Sequence, residues 1–212
     1  MIKLYDYRRS SACYRLRIGF LLKGIAYESV EVNLHPDVKA QEAADYAAVN
    51  PQKRVPAVII DGAVLTQSMA ILDWMDEAHP APAFLPDDPV QRLRARAFAE
   101  TIACDIHPLN NVSVLAYLRE QFGADQAAVR TWYASWIEKG FEALEVHAQA
   151  STTPFLFGDQ PGLAEICLIP QVYNARRFDV DLSPYPRLVE IDAQCARLDA
   201  FQSATPEAAK PN

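Results

Sequence analysis

Glycine is scarce. The chain has seven in 212 residues, and none are arranged as G-x-G-x-x-G, G-x-x-x-x-G-K-[S/T] or G-x-S-x-G. The loops that cradle nucleotide phosphates, and the strand-to-helix turn that exposes a hydrolase serine, are therefore unsupported. Cysteine is equally unhelpful for metal or disulfide chemistry. Cys13, Cys104, Cys167 and Cys195 contain no C-x-x-C pair, and none stands with a histidine at zinc-ligand spacing. They read as mostly buried free thiols, with only Cys13 inside a segment of functional character. An H-E-x-x-H run and an EF-hand loop are missing too, and the four histidines are scattered, so no metal is expected. Basic residues do not dominate: Lys plus Arg number 20 against 27 Asp plus Glu, a formal charge of −7. A nucleic-acid partner is not expected, since such proteins need a net basic face. No apolar run reaches the roughly 18 residues of a membrane span. The opening MIKLYDYRRSS lacks the apolar core and small-residue cleavage site of a secretory leader. A cytoplasmic protein without a membrane partner is the expectation.

What is present is ordinary globular composition, 50% hydrophobic and 22% charged, in a length that suits one large domain or two small ones. Ile2–Tyr7 reads as a short apolar strand. Ser11–Lys23 carries Leu16, Phe20 and Leu21 at helical spacing, with Gly24 as a stop. Ala26–Val32 alternates as a strand, and Pro36–Val49 reads as a polar, alanine-rich helix ended by Asn50-Pro51. Pro56–Ile60 and Ala63–Thr66 flank an Asp61-Gly62 hairpin turn. Gln67–Ala78 is a third helix. Residues 79–89, HPAPAFLPDDP, hold four of the 15 prolines and read as a linker.

Beyond the linker only helices are expected: Val90–Phe122 bent near His107-Pro108, Asp125–Gln149, Gly162–Phe178 and Pro186–Leu198. The tail SATPEAAKPN reads as frayed. The order β-α-β-α-β-β-α is thioredoxin-like. The fold class is thus an α/β, thioredoxin-like N-terminal domain, 1–82, followed by an all-α C-terminal domain, 87–212. A thioredoxin-like oxidoreductase would carry C-x-x-C where this chain reads Arg9-Ser10-Ser11-Ala12-Cys13, so the redox dithiol is absent.

Five segments carry a family resemblance: YDYRRSSACYRLRIGFLLKG, NPQKRVPAVIIDG, LTQSMAILDWMDE, CDIHPLNNVSVLAYL and ICLIPQVYNARRFDVDLSPYP. The resemblance they carry covers nearly the whole chain. They resemble the zeta-class glutathione transferases, the group of the maleylacetoacetate and maleylpyruvate isomerases. The resemblance implies the two-domain fold, a homodimer and glutathione as cofactor. It implies a glutathione-dependent cis–trans isomerase that turns a dicarboxylate keto acid into its fumaryl isomer in aromatic-compound catabolism. The thiolate would add to the enone, the former double bond rotate, and the thiolate leave.

The same resemblance implies residue roles. Ser10 is first choice and Ser11 second for stabilising the thiolate at a helix start, with Arg9 beside them. A cis peptide before Pro56 would turn the Val55 main chain toward the tripeptide's cysteinyl backbone. Gln67 and Ser68 would meet the γ-glutamyl carboxylate at a helix N-terminus. Gln41 and Gln52 fall near the glycyl end, and His107 and Asn111 are further glutathione contacts. Arg9, Arg177 and Arg176 are the carboxylate anchors, because a guanidinium pairs with a carboxylate through two donors. Arg15 and Arg17 read as structural.

Three places depart from the family pattern. Ala12 stands where Cys or Thr is usual, with the cysteine displaced to Cys13. Gly162 stands where Ser or Thr opens a capping box with the residue three on, here Glu165. Val112-Ser113 replaces an arginine pair of some maleylpyruvate isomerases, which tilts the expectation toward maleylacetoacetate. Two other readings stand beside this one: a transferase that conjugates or dehalogenates small α-haloacids, and a non-catalytic transferase-like scaffold.

Overall fold

The structure is a computed structural model and describes residues 1–209. The chain divides into two compact units, Met1–Ala83 with the segment from Arg197 onward, and Phe84–Ala196.

The first unit is built on a four-stranded sheet in the order β2-β1-β3-β4. β1 (Ile2–Asp6) runs parallel to β2 (Tyr27–Glu31), while β3 (Ala57–Ile60) runs antiparallel to both β1 and β4 (Ala63–Thr66). The β3–β4 turn is the expected Asp61-Gly62, with φ of 50° and 84°. Both central residues take positive φ, which matches the twist of the flanking strands. Helix α1 (Ser11–Leu22) packs on α3 (Ser68–Ala78) and is buried along nearly its whole length, Arg15 and Arg17 included. Leu4, Leu16, Ile18, Phe20, Val58 and Leu72 are wholly excluded from solvent and form this unit's core.

One expected helix is broken and starts late. Of Pro36–Val49 only a short 3₁₀ turn, Ala40–Glu42, and α2 (Ala44–Val49) are helical. Lys39 sits in the left-handed region at φ 48°, which breaks the run. The segment has no apolar stripe to bury: within those two pieces only Tyr46 is buried.

The proline-rich linker is ordered. Lys23 donates from Nζ to Asp76 (2.8 Å) and to the carbonyls of His79 and Pro82. The tail is not frayed over the described residues. The helix expected over Pro186–Leu198 ends at Cys195, and a further helix, Asp199–Ser203, follows. This last helix packs on α1, with Phe201 and Ala204 buried, and the Ala204 carbonyl accepts from Arg17 Nε at 2.9 Å. The residues from 197 on therefore belong to the first unit, not to the helical 87–212 expected. Lys210, Pro211 and Asn212 of the tail reading lie outside the described residues.

The second unit is helical: α4 (Pro89–Glu100), α5 (Val112–Phe122), α6 (Gln126–Gln149), α7 (Leu163–Arg177) and α8 (Pro186–Cys195). The expected bend at His107-Pro108 is present, but it is more than a kink. After α4 the backbone widens into a π turn, Thr101–Ile106, then tightens into a 3₁₀ turn, Pro108–Asn110. Gly140 on α6 makes room for this: a β-carbon there would lie 2.2 Å from Ile106 Cδ1. With α9 (Asp199–Ser203) in the first unit, the described residues contain no helix long and apolar enough to cross a membrane.

Candidate active site

Strand register gathers the first unit's candidates. Tyr5 pairs with Ala57, and Ala57 pairs with Thr66. The C-terminal end of β1, the N-terminal end of β3 and the C-terminal end of β4 therefore share one end of the sheet. Arg9-Ser10-Ser11 follow β1, Val55-Pro56 precede β3, and Gln67-Ser68 follow β4, so these three segments meet there.

Ser10 caps α1. Its Oγ accepts from Cys13 N at 3.3 Å, and its own N–H donates to the Tyr7 carbonyl at 2.8 Å. The cap uses a lone pair and leaves the hydroxyl proton available to an acceptor at the helix N-terminus, where the first-turn N–H groups also point outward. Ser11 is the first helical residue and is buried, so Ser10 is the more accessible of the pair. Cys13 is wholly buried, and burial pushes its thiol well above the ordinary range, with Asp6 adding to the rise. It stays protonated, packed as a small apolar side chain.

The loop carrying Arg9 and Ser10 is held from below. Arg17 donates to Asp6 Oδ1 at 2.7 Å and to the Arg8 carbonyl at 2.9 Å. Arg9 is exposed and has no carboxylate partner among the described residues.

At Val55-Pro56 the peptide bond is cis. Among the described residues the Val55 main chain makes no hydrogen bond, so its N–H and C=O are available for strand-like pairing. Asn50, a buried residue that the sequence reading passed over except as a helix stop, shapes this approach. Its Nδ2 and the Tyr46 hydroxyl both donate to the Arg54 carbonyl (2.7 and 2.6 Å), while its Oδ1 accepts from Gln52 N at 3.0 Å. The Asn-Pro pair was the only sequence signal for it.

Gln67 takes φ 69°, a left-handed conformation costly for a non-glycine residue. Its Nε2 donates to Gln52 Oε1 at 3.2 Å, so two of the expected contacts meet directly. Ser68 begins α3, is buried, and its Oγ accepts from Arg15 Nη1 at 3.4 Å. Gln41 lies on the 3₁₀ turn, where its buried Oε1 has no hydrogen-bond partner among the described residues.

In the second unit, His107 joins the π turn to the 3₁₀ turn, its N–H donating to the Ile102 carbonyl at 2.9 Å. Asn111 caps α5, its Oδ1 accepting from Ser113 N and Oγ, each at 3.1 Å. The acceptor of Asn111 is thus already engaged.

The two adjacent arginines differ. Arg176, one of the three expected anchors, is bound to Asp192 Oδ2 at 2.6 Å, an ion pair that already engages its charge. Burial still raises the Asp192 carboxyl, with Arg176 working the other way. Arg177 has no carboxylate partner among the described residues; its guanidinium lies 5.0 Å from the Phe178 ring centroid. Two other acids around it are engaged or at least paired elsewhere: Asp179 faces Arg130 at 3.5 Å, and Asp181 holds Ser183 through both its N–H and hydroxyl.

A thioredoxin-like sheet with a serine at the first helix start, followed by a helical unit, defines a glutathione transferase. The family descriptions for the glutathione S-transferase N-terminal and C-terminal domains match residues 4–83 and 126–200. The chain is 47% identical to the maleylpyruvate isomerase of a Ralstonia species, over 100% of this chain and 99% of that one. It superposes with a TM-score of 0.94 on the holo structure of a maleylpyruvate isomerase described as a bacterial zeta-class transferase, 46% identical and covering 99% of both chains. A maleylacetoacetate isomerase from Methylobacterium extorquens with bound malonate and glutathione gives 0.93 at 36% identity, covering 99% of this chain and 98% of that one. The chain belongs to the zeta class of the glutathione transferases, the family of the maleylacetoacetate and maleylpyruvate isomerases.

Proposed function

We propose that the protein is a glutathione-dependent cis–trans isomerase that converts a maleyl keto acid, maleylacetoacetate or maleylpyruvate, into its fumaryl isomer. The observation that carries this reading is the register Tyr5–Ala57–Thr66, which sets Ser10, Val55 and Gln67-Ser68 at one end of the sheet. Glutathione fits that donor set. The helix N-terminus at Ser68 suits the γ-glutamyl carboxylate, and the unpaired Val55 main chain suits the cysteinyl backbone. Gln52, Gln41 and the basic Lys53 and Arg54 suit the glycyl end, with His107 and Asn111 as further contacts.

When bound, glutathione supplies a thiolate that adds to the cis double bond and departs after rotation about the resulting single bond, so it is regenerated. Ser10 directs its hydroxyl proton to the sulfur and favours the thiolate over the thiol, and Ser11 closes the first turn of α1 behind it. Arg9 stabilises negative charge beside that sulfur and holds a carboxylate. Arg177 anchors a carboxylate of the keto acid. These roles demand intact cations more than a general base.

Assembly as a homodimer is supported by the exposed Val90 and Leu93, three residues apart on α4. A cytoplasmic location accords with the free cysteines.

The test is loss of the cis-enone absorbance of maleylacetoacetate and maleylpyruvate, offered side by side with and without glutathione. Glutathione-dependent conversion of either establishes the activity and names the preferred acid. Glutathione binding with no conversion of either overturns it in favour of conjugation or dehalogenation of α-haloacids. Failure even to bind glutathione leaves the scaffold reading.

A further inference from the structure

We propose that Tyr133 and Phe178 are positioning residues for Arg177, fixing its guanidinium in the orientation that receives a carboxylate of the keto acid. The inference deepens the isomerase reading and rests on it.

Arg177 is the last residue of α7, where the chain leaves the helix and a long cationic side chain is ordinarily free to sample many rotamers. Here it is confined. The Phe178 ring lies under the guanidinium at 5.0 Å, and a planar cation on an aromatic face is held in orientation as well as attracted. The ring itself is fixed. It stacks on Tyr133 with centroids 3.6 Å apart and planes within 9°, and the Phe178 N–H donates to the carbonyls of Asn174 and Ala175 at 3.1 and 3.2 Å.

Tyr133 is buried and its position is determined by its surroundings. Its carbonyl accepts from buried Asn110 Nδ2 at 3.1 Å, and neighbouring Trp132 donates from Nε1 to the Leu109 carbonyl at 2.8 Å. α6 is thereby tied to the Pro108–Asn110 turn, and the stack does not slide. Burial pushes the Tyr133 phenol up to about 12, with the Arg177 guanidinium, which donates to its oxygen, pulling it back, so the hydroxyl is neutral throughout the physiological range. It can face the cation without neutralising it.

Arg176 is neutralised by Asp192, and Asp179 faces Arg130. Arg177, held by two aromatic residues instead of an acid, keeps its full charge for an incoming anion. An ion pair would have fixed it equally well but cancelled it. The aromatic cradle separates orientation from neutralisation.

The test is a double-mutant cycle on kcat/KM for the keto acid. Tyr133→Phe keeps the stack and removes the hydroxyl. In the otherwise native enzyme it should lower kcat/KM about tenfold through the keto-acid KM, the size of one hydrogen bond to a charged group, with the glutathione KM unchanged. On an Arg177→Ala background it should change little, because the residue it positions is gone. Phe178→Leu should resemble Tyr133→Phe, and Phe178→Tyr should restore the native value. An equal loss in both backgrounds, no loss in either, or a parallel rise in the glutathione KM overturns the inference. If the native protein isomerises neither acid, the isomerase reading fails separately. Malonate binding by calorimetry then decides this one: weakening in both Tyr133→Phe and Arg177→Ala supports it, and unchanged binding overturns it.

Discussion

Arg17 and Asp6 form an ion pair of 2.7 Å with side chains only 2% and 6% exposed. The same guanidinium reaches the carbonyls of Arg8 and Ala204, so one buried cation joins β1, the loop before Ser10 and the last helix. Removing one partner strands the other charge in a dry interior. Asp6→Asn should therefore destabilise the protein by about 3–5 kcal/mol, read as a lower urea midpoint. Because Arg8 adjoins Arg9-Ser10, the surviving folded fraction should also show weakened glutathione-dependent turnover.

The two serines should separate. Ser10→Ala removes both the cap and the hydroxyl aimed at the sulfur. It should raise the thiol pKa of bound glutathione, followed by thiolate absorbance, and cost about 1 kcal/mol of stability for the cap. Ser11→Ala should leave that pKa nearer the native value. The reverse order would exchange their roles.

Arg177→Ala should raise the keto-acid KM strongly with glutathione affinity nearly intact. Arg176→Ala should leave both KM values close to native and lower the melting temperature, because it abandons the buried Asp192. Equal kinetic effects would return Arg176 to the anchor role.

Gly162→Ser would restore the family's capping residue by sequence, yet it should destabilise. A β-carbon at Gly162 would lie 2.4 Å from the Phe84 carbonyl oxygen, which itself accepts from Leu163 N at 2.8 Å. The expected loss is about 1–3 kcal/mol, as for other overpacked sites, measured by urea unfolding.

Glu165 supplies the half of that capping box that survives. Its oxygens accept from Gly162 N (2.8 Å) and Leu156 N (2.7 Å), while complete burial raises its pKa above the ordinary glutamate value. The folded state then holds this proton to higher pH than the unfolded state does. Stability from this group is lost as pH rises from the ordinary range through the raised value. Glu165→Gln should start less stable, with one acceptor replaced by a donor, and show a flatter stability–pH slope over that window. An unchanged slope would assign the pH dependence elsewhere.

Much of the first unit was legible because its signals are local. Alternation over Ala26–Val32, the Asp61-Gly62 turn and the capping Ser10 each act within a few residues. The break in the helix at Pro36–Val49 was not legible, since alanine-rich composition suggested a continuous helix while burial, which decides, offered it only Tyr46. The π turn at Thr101–Ile106 depends on Gly140, more than thirty residues away. Arg15 and Arg17 read as structural; the finding adds that Arg17 holds the loop beneath Ser10. Adjacent Arg176 and Arg177 are the same residue type, and the partner of Arg176, Asp192, comes near only through the packing of α8 on α7.

The placement of α9 bears on the order of synthesis. The first unit emerges from the ribosome first, yet Phe201 and the Ala204 carbonyl that complete it are made more than a hundred residues later. During that interval Arg17 Nε and the surface of α1 that receives Phe201 wait without their partners, while the helical unit can condense on its own. The unit begun first is finished last, and a nascent chain halted after residue 196 would hold a whole second unit beside an incomplete first one.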